Sequence, residues 1–345
     1  MLLVLGICAS VWGLGRVLKL PNQVIWPILG LIYLAVISVN LVLPPENGLR
    51  VATGGSAALW LMLGGAGALV LGYVRGLKWL KSRVQKPEPV VERHWPFSET
   101  ELNRYARHIV LREVGGPGQK RLKDARVLVV GAGGLGSPAL LYLAAAGVGT
   151  IGVIDDDTVE NSNLQRQVIH KDQSIGMPKV HSAAEEMRAQ NPFVTVLPYA
   201  KRLTEELASE LISDFDIVLD GTDNFDTRYL VNRICFELGK PLISGALSQW
   251  EGQLTVFDPK GNTPCYQCVF PEAPAPGLAP NCAEAGVIGP LPGVIGAMMA
   301  GEAIKVITGA GAALRGEMLI YDALYGESRK ITLKQRAECP VCGDK

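Results

Sequence analysis

Two long uncharged apolar runs near the front of the chain constrain its architecture more than any other feature. Val24 to Leu43 is 20 residues without a charge, and Val51 to Val74 is a second such run, rich in Gly and Ala. At ~1.5 Å per residue, each is long enough as a helix to cross a ~30 Å hydrocarbon layer. Small residues also suit closely packed membrane helices. Between Met1 and Val74 the only charges are Arg16, Lys19, Glu46 and Arg50. Neither run has an amphipathic period, which speaks against a buried helical hairpin of a water-soluble domain. Met1 to Gly15 is apolar but short, so it reads as a third span, a half-inserted helix or a cleaved signal peptide. Against the last, Arg16 and Lys19 follow the apolar stretch instead of preceding it, and Gly13-Leu14-Gly15 is a weak cleavage signal.

Charge divides the chain in two. Residues 1–93 hold nine Lys/Arg against three Glu, whereas the whole chain balances at 33 and 33, so the remainder is acidic. That balance excludes a nucleic-acid-coating protein. With 48% hydrophobic and 19% charged residues, long intrinsic disorder is also excluded. Arg75, Lys78, Lys81, Arg83 and Lys86 follow the last apolar run, while the Pro44–Arg50 loop has one Glu and one Arg. The positive-inside rule then places residue 75 onward in the cytoplasm, whether the spans number two or three. Trp26, Tyr33, Trp60, Tyr73 and Trp79 include candidate interfacial anchors. The expected organisation is a transmembrane anchor over residues 1–80, a cytoplasmic linker over 81–96 containing Pro87, Pro89 and Pro96, and a domain over 97–345. The expected location is the inner (cytoplasmic) membrane, with that last domain in the cytoplasm.

Ser98 followed by Glu101 makes a capping box, and Leu102, Tyr105, Ile109 and Arg112 continue at helical spacing. Strands are expected at Arg126–Val130, Thr150–Ile154, Val194–Pro198, Asp216–Leu219 and Pro241–Ser244, and helices at Leu135–Ala146, Lys179–Gln190, Glu205–Ile212 and Thr227–Leu238. This alternation predicts an α/β class: a Rossmann-like, doubly wound parallel sheet. Gly252–Asp258, Met318–Tyr321 and Arg329–Leu333 lack a helix between every pair and predict an antiparallel extension of that sheet. The breaker-rich segment Pro271–Pro292 reads as a loop.

Gly131-Ala-Gly-Gly-Leu-Gly136 follows the first strand and opens a helix, so backbone N–H groups can approach a phosphate at the positive helix end. Asp155 lies 19 residues past Gly136, where a carboxylate can bind ribose hydroxyls. Alone, this pattern reads as an NAD-dependent oxidoreductase. Arg166 and Lys179 close behind it suit a triphosphate better, because hydride transfer does not require them. Asp223, at the end of the fourth strand, can hold Mg2+ between phosphates. The bland alternatives are solvated charges for Arg166 and Lys179 and a helix cap for Asp223 and Asn224.

Four of the seven cysteines form two CxxC knuckles, Cys265/Cys268 and Cys339/Cys342, with 70 residues between them. On a cytoplasmic domain this spacing reads as a tetrahedral structural Zn2+, and two disulfides are disfavoured by the reducing compartment. Cys235 reads as core, and Cys8 as facing lipid or another helix. Cys282 sits in the Pro/Gly-rich segment, where it is either a nucleophile on a closing loop or a bystander thiol.

From about Ser98 to its end the chain resembles the ThiF/MoeB/HesA family, relatives of the ubiquitin-activating enzymes. The resemblance is carried by Arg104–His108, Gly131–Gly136, Asp155–Asp157, Ser162–Gln167, Lys179, Thr222–Asn224, Cys265–Cys268, Asn281–Glu284 and Cys339–Cys342, in family order. It is closest to the molybdopterin-synthase adenylyltransferases. The resemblance implies ATP-dependent adenylylation of the C-terminal glycine of a small ubiquitin-like sulfur carrier ending in Gly-Gly, here a MoaD-like molybdopterin-synthase subunit for molybdenum cofactor biosynthesis. The same reaction on the thiazole carrier is the near alternative, and a non-catalytic membrane adaptor for ubiquitin-like proteins is the distant one. The family's ATP site falls on Gly134, Asp155, Ser162, Asn163, Leu164, Gln165, Arg166, Lys179, Asp223 and Asn224. Arg107 falls where the family inserts an arginine into its partner's phosphate site, which implies a homodimer. Cys282 falls at the crossover-loop cysteine, which forms a thioester or acyl-disulfide in some relatives. The sequence ends at Lys345, just past the second knuckle, so a separate sulfur donor is expected.

Overall fold

The computed structural model describes residues 1–83, 96–261, 263–274 and 285–343. Its contacts divide into two compact units, Met1–His94 and Trp95–Lys345. Most of the expected 81–96 linker lies outside the described residues.

The first unit is helical: α1 (Leu2–Val17), α2 (Asn22–Val42), α3 (Gly48–Ala52) and α4 (Ala57–Arg83). α2 and the Gly48–Lys81 segment are long and apolar enough to cross a membrane by length and composition. The second apolar run is not one helix, however. It breaks after α3, where Gly54 (φ +111°) and Gly55 (φ +72°) take conformations that L side chains rarely adopt. The polar groups freed by the break find partners: Arg50 donates to Leu43 O (2.6 Å) and Gly55 O (3.3 Å), and the Trp60 indole N–H donates to Thr53 O (2.9 Å). Trp60 is therefore buried, not an exposed anchor.

In the second unit the capping box forms as expected, with Glu101 accepting from Ser98 N and Ser98 Oγ accepting from Glu101 N. The expected helix beyond it breaks at Tyr105 into α5 (Glu99–Arg104) and α6 (Ala106–Ile109). The cause is tertiary. The buried Tyr105 ring packs edge-on against Phe97, its hydroxyl accepts from Asn191 Nδ2 (2.8 Å), and it fills the space a Cβ at Gly147 would need. A further helix, α7 (Gly115–Asp124), precedes the sheet.

The sheet and its covering helices follow in the order β1 (Arg126–Val130), α8 (Gly136–Ala146), β2 (Thr150–Ile154), α9 (Lys179–Gln190), β3 (Thr195–Tyr199), α10 (Glu205–Ser213), β4 (Ile217–Asp220), α11 (Phe225–Glu237), β5 (Leu242–Leu247), β6 (Glu251–Phe257), α12 (Tyr266–Val269), α13 (Pro290–Thr308), β7 (Glu317–Asp322) and β8 (Glu327–Thr332). The strands form one eight-stranded sheet, β3-β2-β1-β4-β5-β6-β7-β8. β1 to β5 pair parallel, and β5 to β8 pair antiparallel, as the missing crossover helices predict.

The run Val127-Leu-Val-Val130 that follows Arg126 is apolar on both sides because both faces are covered. Val127 and Val129 pack on one face with α8, α9 and α13, and Leu128 and Val130 pack on the other with α10 and α11. α13 is the main element the sequence pattern does not reveal. Pro290 and Pro292 lie in its first turn, where a missing N–H leaves no bond unmade, so they start a helix instead of prolonging the loop. α13 is itself apolar enough to match a membrane span, yet half of it is buried on the sheet, with Ile295, Met299 and Ala303 fully covered.

Candidate active site

The topology determines where the cleft lies. β1 has β2 on one side and β4 on the other; the chain leaves β1 for α8 on one face and β4 for α11 on the opposite face. A crevice must open at the carboxyl ends of β1 and β4, the switch point where such sheets take ligands. A cleft of about 520 Å³ lies there, with Gly133, Gly134, Asp155, Arg166, Lys179 and Asp223 among its walls.

The glycine loop is built for close approach. Gly131 turns at φ +93° and donates to Ile154 O (2.9 Å). A Cβ on Gly136 would lie 1.9 Å from Gly131 O, and one on Gly134 would press on Pro292 of α13 at 3.0 Å. Ala132 is held at both ends: its N–H donates to Asp155 Oδ2 (2.7 Å), and its carbonyl accepts from His170 Nε2 (2.9 Å). A carbonyl only accepts, so the neutral His170 ring carries its proton on Nε2 and receives Ser182 Oγ–H at Nδ1 (3.0 Å). Burial lowers the His170 pKa and keeps that ring neutral, against the hydrogen bond to Ala132. His170→Ala leaves the Ala132 carbonyl unpaired and is expected to cost about 1–3 kcal/mol of stability and, if the loop holds the phosphates that its sequence leads one to expect, to weaken ATP binding, measured by urea denaturation and nucleotide titration.

Asp155 accepts from Ala132 N and from Asp157 N (2.8 Å). Burial raises its pKa above 3.8, and the Lys179 charge opposes that rise. The sign of the consequence is fixed. Because the folded value is raised, ionising Asp155 costs stability as pH climbs through the raised value; on acidification, the expected hold of the carboxylate on a nucleotide is lost sooner, at a higher pH than an ordinary aspartate would give. Lys179→Met should move that acid limb to still higher pH. Nucleotide affinity measured against pH in both proteins checks this, and a limb moving downward refutes the assignment.

Lys179, at the start of α9, is 5% exposed and pairs with Asp157 Oδ2 at 2.7 Å. Arg166 is half-buried and donates to Ser162 O (3.1 Å). Asp223 is exposed at the cleft, and Asn224 Oδ1 caps α11 by accepting from Thr227 N (2.8 Å). Asn224 thus serves the helix as well as bordering the site. Mg2+ needs only one or two carboxylates when phosphates and water complete its shell, and the open carboxylate of Asp223 fits that demand.

The other expected residues lie elsewhere. Ser162, Asn163, Leu164 and Gln165 form the turn leading to Arg166 but do not line the cleft. Arg107 is exposed on α6, away from the cleft walls of its own chain. Cys282 lies outside the described residues.

Gln167 and Arg228 line the cleft without having been expected to. Gln167 is 4% exposed, and its Oε1 has no hydrogen-bond partner. Buried Arg228 donates to Gly245 O (2.8 Å) and to Thr222 O, bracing the loop after β4. Gln167 had a signal in its adjacency to Arg166. Arg228 had none, since its role rests on a contact with a strand 17 residues on.

The four knuckle cysteines are buried together, with all Sγ atoms within 4.8 Å of one another. Tetrahedral zinc at ~2.3 Å from each sulfur needs sulfurs about 3.8 Å apart; Cys265–Cys339 at 3.5 Å and Cys268–Cys342 at 3.2 Å are drawn in tighter than that, so these four thiols suit the ion once those two pairs spread slightly around it. Burial pushes the Cys265 thiol up to about 11. Cys339 feels burial too, but the N–H groups of Cys342 and Val341 bring it down to about 7. Cys235 is buried in the core and burial pushes its thiol up, as expected for an inert side chain.

The sequence profile of the ThiF family matches residues 105–341. A sulfur carrier protein adenylyltransferase of Thermus thermophilus is 51% identical over 252 residues, covering 72% of this chain and 93% of the relative. A SAMP-activating enzyme E1 of Haloferax volcanii is 50% identical over 245 residues, covering 71% and 90%. The adenylyltransferase and sulfurtransferase MOCS3 of Mus musculus is 46% identical over 258 residues, 74% of this chain but only 56% of that one. Among solved structures, E. coli MccB with MccA-N7isoASN superposes with a TM-score of 0.63 at 24% identity, covering 71% of this chain and 76% of that chain, a likeness of fold.

Proposed function

The chain belongs to the ThiF family and is a nucleotidyltransferase, and from that premise we propose that it adenylylates the C-terminal glycine of a small ubiquitin-like sulfur carrier, of the MoaD type that serves molybdenum cofactor synthesis. The observation carrying this reading is the switch-point cleft, where the glycine loop, Asp155, Arg166, Lys179 and Asp223 converge. A glycine carboxylate is already ionised at neutral pH, so the reaction needs no general base. One carboxylate oxygen attacks the α-phosphorus of ATP, the bond from that phosphorus to the bridging oxygen breaks, and pyrophosphate leaves. The barrier is anion meeting anion, so placement and positive charge supply most of the catalysis.

In this reading Asp155 binds the ribose, Arg166 and Lys179 neutralise the phosphates, and Asp223 holds a magnesium ion that offsets phosphate charge. A second copy of the chain supplies Arg107, which makes the homodimer the working unit. Cys265, Cys268, Cys339 and Cys342 hold zinc, and Cys282 is either a nucleophile for the activated carrier or a bystander. Residues 1–80 anchor the enzyme in the inner membrane, 81–96 tether it, and 97–345 work on the cytoplasmic side.

The test is ATP–pyrophosphate exchange by the detergent-solubilised full chain, supplied with each candidate carrier and with Asp223→Ala as control. Exchange dependent on the molybdopterin-synthase subunit supports the proposal. Exchange only with the thiazole carrier moves the substrate, and silence with both despite bound ATP overturns it in favour of a binding adaptor.

A further inference from the structure

The first unit gathers most of its cationic side chains at one end. Val4 near the start of α1, Val36 late in α2 and Trp60 near the start of α4 are buried against one another, with Cys8, Ile32, Tyr33 and Ile37 around them. α1 therefore runs antiparallel to α2 and in the same sense as α4. The opposite end agrees: a Cβ on Gly15, late in α1, would lie 2.7 Å from Ile25, early in α2.

Counting from the Val4/Val36/Trp60 layer at ~1.5 Å per residue, Arg16 and Arg75 lie about 18 and 22 Å away, and the start of α2 about 21 Å away. Arg16, Lys19, Arg75, Lys78 and Lys81 thus gather at one end. The other end holds Glu46 and Arg50, with Arg50 tied to two carbonyls and Met1 N donating to Ala52 O at 3.1 Å. The aromatic side chains follow the same polarity. Trp12, Trp26, Tyr73 and Trp79 are exposed toward the cationic end, with the Arg16 guanidinium 5.3 Å from the Trp12 ring, whereas Trp60 is buried at the other end.

α1 has almost no polar face, only Ser10 and Arg16 besides apolar and small residues, so it lacks what a helix lying in the interface needs. At about 24 Å it is short for a hydrocarbon core, a mismatch that local thinning of the bilayer accommodates.

Resting on the membrane reading above, we infer that α1 is a third span, that Met1 faces the outer side, and that the ring of Arg16, Lys19, Arg75, Lys78 and Lys81, belted by tryptophans, binds anionic phospholipid headgroups of the cytoplasmic leaflet. Cation-rich collars at a membrane surface are held by such lipids, and interfacial tryptophans fix their depth.

The experiment uses the full chain in bacterial membranes, with Cys8→Ala and Cys282→Ala together as background, so that neither native thiol competes for the label. Leu2→Cys should react with an impermeant maleimide on intact spheroplasts, and Lys19→Cys only after lysis. If Leu2→Cys reacts only after lysis in a chain that resists carbonate extraction, this inference is overturned and the anchor stands; if carbonate extracts the chain, the anchor reading itself fails. In mixed micelles of phosphatidylcholine and phosphatidylglycerol, the purified chain should retain phosphatidylglycerol preferentially. That preference should fall about fivefold for each cation removed in Arg16→Gln, Lys19→Gln and Lys78→Gln. Equal retention of both lipids overturns the headgroup assignment.

Discussion

Lys179→Ala is expected to lower ATP–pyrophosphate exchange about 10²–10³-fold, the loss typical when one preorganised charge is removed from a developing anion. Its effect on stability should be small, for two reasons that oppose each other. The partner Asp157 is 65% exposed, so the Lys179–Asp157 pair contributes at most about 1 kcal/mol. Lys179 is also the first residue of α9, where the helix dipole disfavours a cation by about 0.3–1 kcal/mol. A buried lysine at the wrong end of a helix is hard to explain by folding alone and easy to explain by a triphosphate. Thermal unfolding and exchange measured on the same preparation check the split. Exchange within a few-fold of the parent would remove Lys179 from the phosphate site.

The second large effect is expected at the four cysteines. Metal analysis should find about one zinc per chain, and Cys265→Ser should lose it. The site joins α12 to the segment near the chain's end, with Gln335 Nε2 donating to Cys342 O (2.5 Å) and Arg336 N to Cys268 Sγ (3.4 Å). Without metal, four buried thiols crowd together and that segment loses its coordinate-bond tie to the body. A loss of about 4 kcal/mol, in the range seen when a structural metal is removed, corresponds to roughly 8–16 °C in Tm for a domain of this size. Chelator should reproduce the drop in the parent chain and leave Cys265→Ser unmoved. A metal-free chain of unchanged Tm would defeat the zinc assignment.

The legible parts of this protein share one property: they are written in residues close together along the chain. The strands Arg126–Val130 and Thr150–Ile154 match the pattern residue for residue because a doubly covered strand must be free of polar side chains past its first, partly exposed residue. The glycine loop, Asp155 and Lys179 were visible because a phosphate turn between strand and helix needs fixed local spacing. The antiparallel end of the sheet followed from the missing crossover helices. The cysteine pairs were legible as pairs, since two residues between thiols is itself the knuckle, although the meeting of the two knuckles is a fact of the fold.

What the pattern did not contain depends on partners far away in the chain. The break at Tyr105 is set by Phe97, Asn191 and Gly147, and the breadth of α13 by the sheet face it covers. His170 reached the glycine loop across 38 residues, and Arg228 braced a strand beyond its own helix. The direction of α1, left open by its composition, came from Val4 against Val36 and Trp60. Sequence by itself determined the family's chemistry, the order of the elements and the contrast between an apolar front and an α/β remainder, because local spacing and hydrophobicity act along the chain. Tertiary structure alone decided which side chains close the site and how the apolar helices are ordered, because packing selects among locally equivalent conformations by contacts that no short window contains.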